Sequence, residues 1–138
     1  MMSKIFFTIP IAFLWLQSMA QHPLEVVIAN VKDDQGQLRV ALFAKEGYLK
    51  KSVETKIVKA QPNELKVYFE NVAEGNYVIS VVHDANENGE LDKNFVGMPK
   101  EGYAFSNNKG KYGAPDFQEA SFQVSGSASA VRIQMIYW

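Results

Sequence analysis

The chain has 138 residues, no cysteine, and 14 basic side chains against 15 acidic ones, a formal charge of −1. That length is one domain's worth. The missing cysteines exclude disulfide staples and lipid attachment through a thiol, and the scattered charges offer no basic patch for nucleic acid.

In chain order, residues 1–20 read as a signal peptide. Lys4 supplies a positive start, Ile5 to Leu16 an apolar run interrupted by Pro10, and Ser18-Met19-Ala20 the small residues of a cleavage site. The apolar run is about a dozen residues, short of the roughly 20 that span a bilayer. Cleavage after Ala20 would leave 21–138 as a single domain with no membrane span. It would be secreted, to the periplasm or outside the cell.

From Leu24 onward the pattern has period two. Leu38, Val40 and Leu42 alternate with polar or small neighbours. Leu65, Val67 and Phe69 alternate with Lys66, Tyr68 and Glu70, and Tyr77, Ile79 and Val81 follow. Val131, Ile133, Met135 and Tyr137 close the series. Leu24 to Val31, Val53 to Val58 and Ala120 to Val124 are further candidates. Alternation of this kind marks half-buried strands. Turn chemistry separates them at Asp33-Asp34-Gln35-Gly36, Gln61-Pro62-Asn63, Ala73-Glu74-Gly75-Asn76 and Ser125-Gly126-Ser127. Only Glu46 to Ser52 suggests a helical turn. The expected fold is all-β: a single antiparallel sandwich of about seven strands, of Greek-key type. Leu65, Val67, Phe69, Ile79, Val81, Ile133 and Met135 should lie in its core.

Asp84 to Glu119 breaks the rhythm. It holds five glycines, and its aromatics Phe95, Tyr103, Phe105, Tyr112 and Phe117 are too apolar for a solvated tail. It reads as one long ordered loop over an end of the sandwich. Its first part runs Asp84-x-Asn86-x-Asn88-Gly89-x-Leu91-Asp92. Short oxygen-bearing side chains fall at positions one, three, five and nine of a calcium loop, Gly89 at the sharp turn, and Glu90 can offer its carbonyl. The bidentate glutamate expected at position twelve is replaced by Phe95, so this is no helix-loop-helix hand. A sixth ligand would have to be water or another segment, with Glu101 the candidate. The expected cofactor is calcium. The alternative is a polar turn without metal, since Asn-Gly is a turn signal in itself.

Two enzymatic readings fail on chemistry. His83 and Asp84 are strand neighbours that point to opposite faces and cannot orient each other toward Ser106. His22 and His83, without cysteine, are too few for a typical zinc site. His83 reads instead as a strand-end residue that hydrogen-bonds a nearby loop. The expected function is an accessory or binding role with no catalysis. An alternative ligand face is Tyr103, Phe105, Asn107 and Tyr112, whose rings and amide would suit a carbohydrate or peptide. The competing explanation is that these aromatics are the loop's own core.

The stretch from His83-Asp84 to Asp92, then Gly97-Met98-Pro99-Lys100-Glu101-Gly102-Tyr103-Ala104-Phe105-Ser106-Asn107, resembles a bacterial family catalogued as domain of unknown function 2141. Gly113-Ala114-Pro115 and Phe117 to Phe122 continue the likeness. Ala104 stands where the family pattern has glycine. The resemblance covers essentially all of 21–138 and implies a secreted bacterial protein, with no reaction attached. A weaker likeness, carried by Asn71 to Tyr77, is to transthyretin-like and collagen-adhesin B-type sandwiches. The transthyretin-like hydrolase of purine breakdown is set apart by its Tyr-Arg-Gly-Ser ending, where this chain has Met135-Ile136-Tyr137-Trp138.

Overall fold

The computed structural model describes residues 21–126 and 128–138. The expected signal peptide, 1–20, lies outside the described residues. The seven expected runs become strands, and an eighth, β6, forms inside the stretch expected to be one long loop, because its residues pair with β5: β1 (Gln21–Val31), β2 (Gln37–Phe43), β3 (Glu54–Lys59), β4 (Asn63–Ala73), β5 (Gly75–Asp84), β6 (Tyr103–Phe105), β7 (Phe122–Val124) and β8 (Ser129–Gln134). They form two sheets. One has the order β4-β1-β8, the other β3-β2-β5-β6, and β7 pairs with the opposite half of the β5 edge from β6. This is the expected all-β sandwich. The helical content is slight: short turns at Lys45–Gly47, Ser106–Asn108 and Phe117–Ala120. Among the described residues no helix is long and apolar enough to cross a membrane.

The core follows the pleat. Leu24, Val26 and Ile28 of β1 share the interior with Leu38, Val40 and Leu42 of β2, Val67 and Phe69 of β4, Ile79 and Val81 of β5, and Ile133 and Met135 at the chain's end. Of the expected core residues only Leu65 is half-buried, because it sits near the end of the β1–β4 ladder beside Glu64 and Asn63. Each fully buried Leu, Ile, Val or Phe contributes about 1.5–3 kcal/mol relative to exposure, so this alternation suffices to explain why the sheets close.

Two details depart from a plain antiparallel meander. β1 pairs with β8 in parallel, from Leu24↔Ser129 to Ala29↔Gln134. The β1–β4 ladder also shifts register twice. The first shift sets Pro23 of β1, which has no N–H to give the ladder, against Glu70 and Asn71, so the extra residue lies in β4. The second spans Asn30, whose φ of 61° is a left-handed value that asparagine tolerates and whose side chain donates to the Met135 carbonyl at 2.9 Å. One side of the sandwich is then closed. Tyr103 N–H donates to the Ile136 carbonyl at 3.0 Å, and Ile136 N–H to the Tyr103 carbonyl at 2.8 Å, joining the two sheets.

A second, smaller apolar cluster lies outside that core. Val78, Tyr103, Phe105 and Ala120 are buried in it, with Tyr48, Leu91, Phe117 and Ile136 packed around them. This cluster holds the long loop against the outer face of the five-stranded sheet.

Candidate functional site

The loop begins where β5 ends. Gly36, at φ +66°, brings the β1–β2 turn so close to the Asp84 and Ala85 backbone that a Cβ there would collide with both. Asp84 is therefore fully buried at the sandwich end. Its carboxylate accepts from the N–H groups of Asn88 (3.1 Å) and Gly89 (2.7 Å) and from the Gln37 amide (3.2 Å). The sharp turn that Asn88-Gly89 supplies is thus wrapped around the Asp84 side chain.

Asp92 faces it from the far side of the turn. One carboxylate oxygen accepts from the Asn86 amide at 2.6 Å, the other from the Asn88 amide at 2.7 Å. The two amide carbonyls in turn accept backbone N–H groups, Asn86 from Asn88 at 3.3 Å and Asn88 from Glu90 at 3.0 Å. The amide donors of Asn88 and Asn86 hold the Asp92 carboxyl below the usual carboxylate range, with Glu101 and Lys100 adding to the effect. Glu101 clamps both ends of the loop. Its carboxylate accepts Ala85 N–H at 2.7 Å and Asp92 N–H at 3.0 Å.

The structure therefore brings Asp84, Asn86, Asn88, Asp92 and Glu101 into one network. Glu90 joins through its backbone N–H, and its side chain is exposed. In this arrangement the groups nearest Asp92 are amide nitrogens. Among the described residues no three His, Cys, Asp or Glu side chains converge as a cage. The physical reason is that two of the expected ligands are amides and that Asp84 is turned toward backbone donors.

His83 sits in a different environment from its neighbour. Its Nε2 lies 2.7 Å from the Gln35 carbonyl, to which it can only donate, and 3.6 Å from Asp33. That leaves Nδ1 to accept from the Tyr137 hydroxyl at 2.8 Å, while the same hydroxyl accepts Lys32 N–H at 3.0 Å. The histidine is thus a strand-end tether between the β1–β2 turn and the C-terminal segment. Gly102 makes room for Tyr137, whose ring lies where a Cβ would be. Burial raises the Tyr137 phenol above its ordinary value. Ser106 is also fully engaged. It donates to the Ala120 carbonyl and accepts Ile79 N–H at 3.0 Å.

The expected ligand-face residues separate. Tyr103 and Phe105 are buried in the smaller cluster, Asn107 is exposed but its amide clamps the carbonyls of Glu119 (3.1 Å) and Ser121 (2.8 Å), and of the three rings only Tyr112 is open, at 86% exposure. Tyr103 also fixes the turn that carries Tyr112, its hydroxyl lying 2.8 Å from the carbonyls of both Gly110 and Lys111. Beside Tyr112 lies a cavity of about 270 Å³, floored by Leu91, Tyr103 and Phe105 and rimmed by Met98, Lys111 and Trp138. Sequence reasoning used Leu91 only as part of the calcium-loop pattern and gave Met98 and Lys111 no place in a binding face. The available signal was Phe95-Val96, two apolar residues in an Asn- and Gly-rich turn with nothing nearby in sequence to cover them.

Residues 26–132 match the family described as an uncharacterized protein conserved in bacteria, DUF2141. The chain belongs to that family. The matched stretch of the DUF2141 domain contains the Asp84–Asp92 loop, Glu101 and Tyr112, while Tyr137 and Trp138 lie beyond it. No curated protein and no solved structure matches the chain.

Proposed function

We propose that this DUF2141 protein is an exported, non-catalytic binding module whose Asp84–Asp92 loop takes a calcium ion and thereby stiffens the face formed by the long loop. The observation that carries the reading is the single network joining Asp84, Asn86, Asn88, Asp92 and Glu101. Calcium prefers carboxylate and amide oxygens. A half-turn of the Asn86 and Asn88 carboxamides would present oxygens to Asp92 in place of N–H groups, giving up the bonds those oxygens accept from the Asn88 and Glu90 N–H groups, which the ion's own coordination would have to offset. Glu101 stands at the same loop to add a carboxylate oxygen. The non-catalytic part rests on His83, both of whose ring nitrogens are engaged structurally, and on Ser106, whose hydroxyl is enclosed.

The test is a thermal melt with calcium and with chelator. Extracellular sites of this kind bind at about 10⁻⁴–10⁻³ M. Free calcium at ten times the dissociation constant should then stabilise by RT ln 11, about 1.4 kcal/mol, a shift of several degrees. Asp84→Ala should abolish the shift and Glu87→Ala, exposed between ligand positions, should keep it. An unchanged melt at millimolar calcium removes the metal from the reading.

A second reading has its own observation. The turn is closed by hydrogen bonds among its own side chains, and the cavity beside Tyr112 and Trp138 is apolar. In that case the loop is a polar turn, and the open aromatics take a carbohydrate or peptide. Glycan-array binding lost in Tyr112→Ala would favour it.

A further inference from the structure

Among the described residues nine large apolar side chains are exposed; Leu49, Val53, Ile57 and Tyr68 belong to the sandwich body, and the other five to the long loop and the C-terminus. Phe95 (101%), Val96 (66%), Met98 (40%), Tyr112 (86%) and Trp138 (55%) are all open. Phe95 and Val96 form the tip of a tight hairpin closed by the Lys93↔Pro99 bridge. Met98, at the base of that tip, lines the cavity with Tyr112 and Trp138. The rings of Tyr112 and Trp138 lie 5.9 Å apart, and the Lys111 ammonium sits 5.5 Å from the Tyr112 ring centre.

The tip is built to leave water. Asn94 N–H donates to the Met98 carbonyl at 2.8 Å and Gly97 N–H to the Asn94 carbonyl at 3.0 Å. The Asn94 side-chain oxygen accepts the N–H groups of Val96 and Met98, each at 3.0 Å. Four backbone donors are thus satisfied inside the hairpin, which lowers the penalty for entering the headgroup–acyl boundary. Lys93 and Lys111 flank the apolar face, and among the described residues neither is within ion-pair distance of a carboxylate.

We propose that this tip seats the protein on an anionic lipid surface. Phe95 and Val96 enter the acyl boundary, Tyr112 and Trp138 lie at headgroup depth where such rings accumulate, and Lys93 and Lys111 meet the lipid phosphates. A small ligand in the cavity would leave Phe95 and Val96, which do not line it, in water. A second copy would bring the same lysines against each other. The anionic surface complements both the apolar tip and its charge. The proposal rests on the binding-face reading above and names its partner; it does not require the calcium ion.

The experiment is co-sedimentation of the protein, exported from cells expressing the full chain, with phosphatidylglycerol-containing vesicles and with neutral phosphatidylcholine vesicles, in calcium and in chelator. The expected result is reversible binding that favours the anionic vesicles. Phe95→Ala should weaken it roughly tenfold or more, and Lys93→Gln and Lys111→Gln roughly fivefold each. All three variants should melt with the wild type, since Phe95 is fully exposed. Equal binding by Phe95→Ala, as a retained apolar N-terminus would produce, overturns the proposal. So does absence of vesicle binding, whether or not Phe95-dependent self-association appears in sedimentation. Loss of vesicle binding with a calcium-dependent melt intact overturns the lipid partner alone. Vesicle binding without a calcium-dependent melt supports the lipid partner and overturns the metal.

Discussion

The sandwich body and the loop end of this protein are held together by different forces. In the body, apolar side chains from β1, β2, β4, β5 and β8 are buried between two laddered sheets. At the loop end, Asp84 to Asp92 is organised by side-chain oxygens and amides that satisfy backbone donors: Asp84 for Asn88 and Gly89, Glu101 for Ala85 and Asp92. Burial is non-directional and tolerates sequence change of similar volume. A loop held by carboxylates depends on particular atoms and on their charge. The body should therefore set global stability, and the loop should respond to pH and to cations.

The comparison can be broken from either side. The largest effect is expected in the body. Phe69 is fully buried, and Phe69→Ala should cost about 3–5 kcal/mol, read as a lower urea midpoint with the slope unchanged. In the loop, Asp84→Ala leaves two backbone N–H groups and the Gln37 amide without their acceptor. A loss of about 2–3 kcal/mol is expected from the charge-assisted bonds. Hydrogen exchange should then accelerate at Asn88 and Gly89 more than in β1. An equal acceleration throughout would mean that loop and body unfold as one unit.

Tyr137→Phe tests the tether between the β1–β2 turn and the C-terminal segment, on the body's side of the comparison. It removes the donor to His83 Nδ1 and the acceptor of Lys32 N–H. About 1–2 kcal/mol should be lost, visible in a denaturant melt. The smallest effect is expected at Asp92, which is open enough to solvent that its contribution is screened. Its folded pKa is lowered by the Asn88 and Asn86 amides. The stability it contributes is therefore present above the unfolded carboxylate value, near pH 4, and is lost as pH falls through the still lower folded value. Asp92→Asn should flatten that acid limb of the melting profile and leave the neutral region nearly unchanged.

Much of the body was legible because a half-buried strand writes its two faces into successive residues. Leu65-Val67-Phe69 and Ile133-Met135 could be assigned by parity alone. β6 was not legible for the same reason. Tyr103, Ala104 and Phe105 are all buried, Ala104 in the main core and the two rings in the outer cluster, so no alternation survives. The loop's oxygen spacing pointed to Asp84, Asn86, Asn88 and Asp92 as a group, and Glu101 as their distant companion, because ligands and turn-forming acceptors use the same short side chains. It did not say which atoms would face inward.

The sequence by itself determined the sandwich class, the positions of most strands and the grouping of the Asp84–Asp92 loop, since each is a local pattern of period, turn residue or spacing. Only the tertiary structure decided that β1 and β8 run parallel, that His83 tethers Gln35 to Tyr137, and that Tyr112 and Trp138 meet while Phe95 stays exposed. Those outcomes depend on which distant segments meet. A residue's own neighbours carry its burial pattern, but its partner across the fold is chosen by how two sheets, two bulges and a long loop share one limited core.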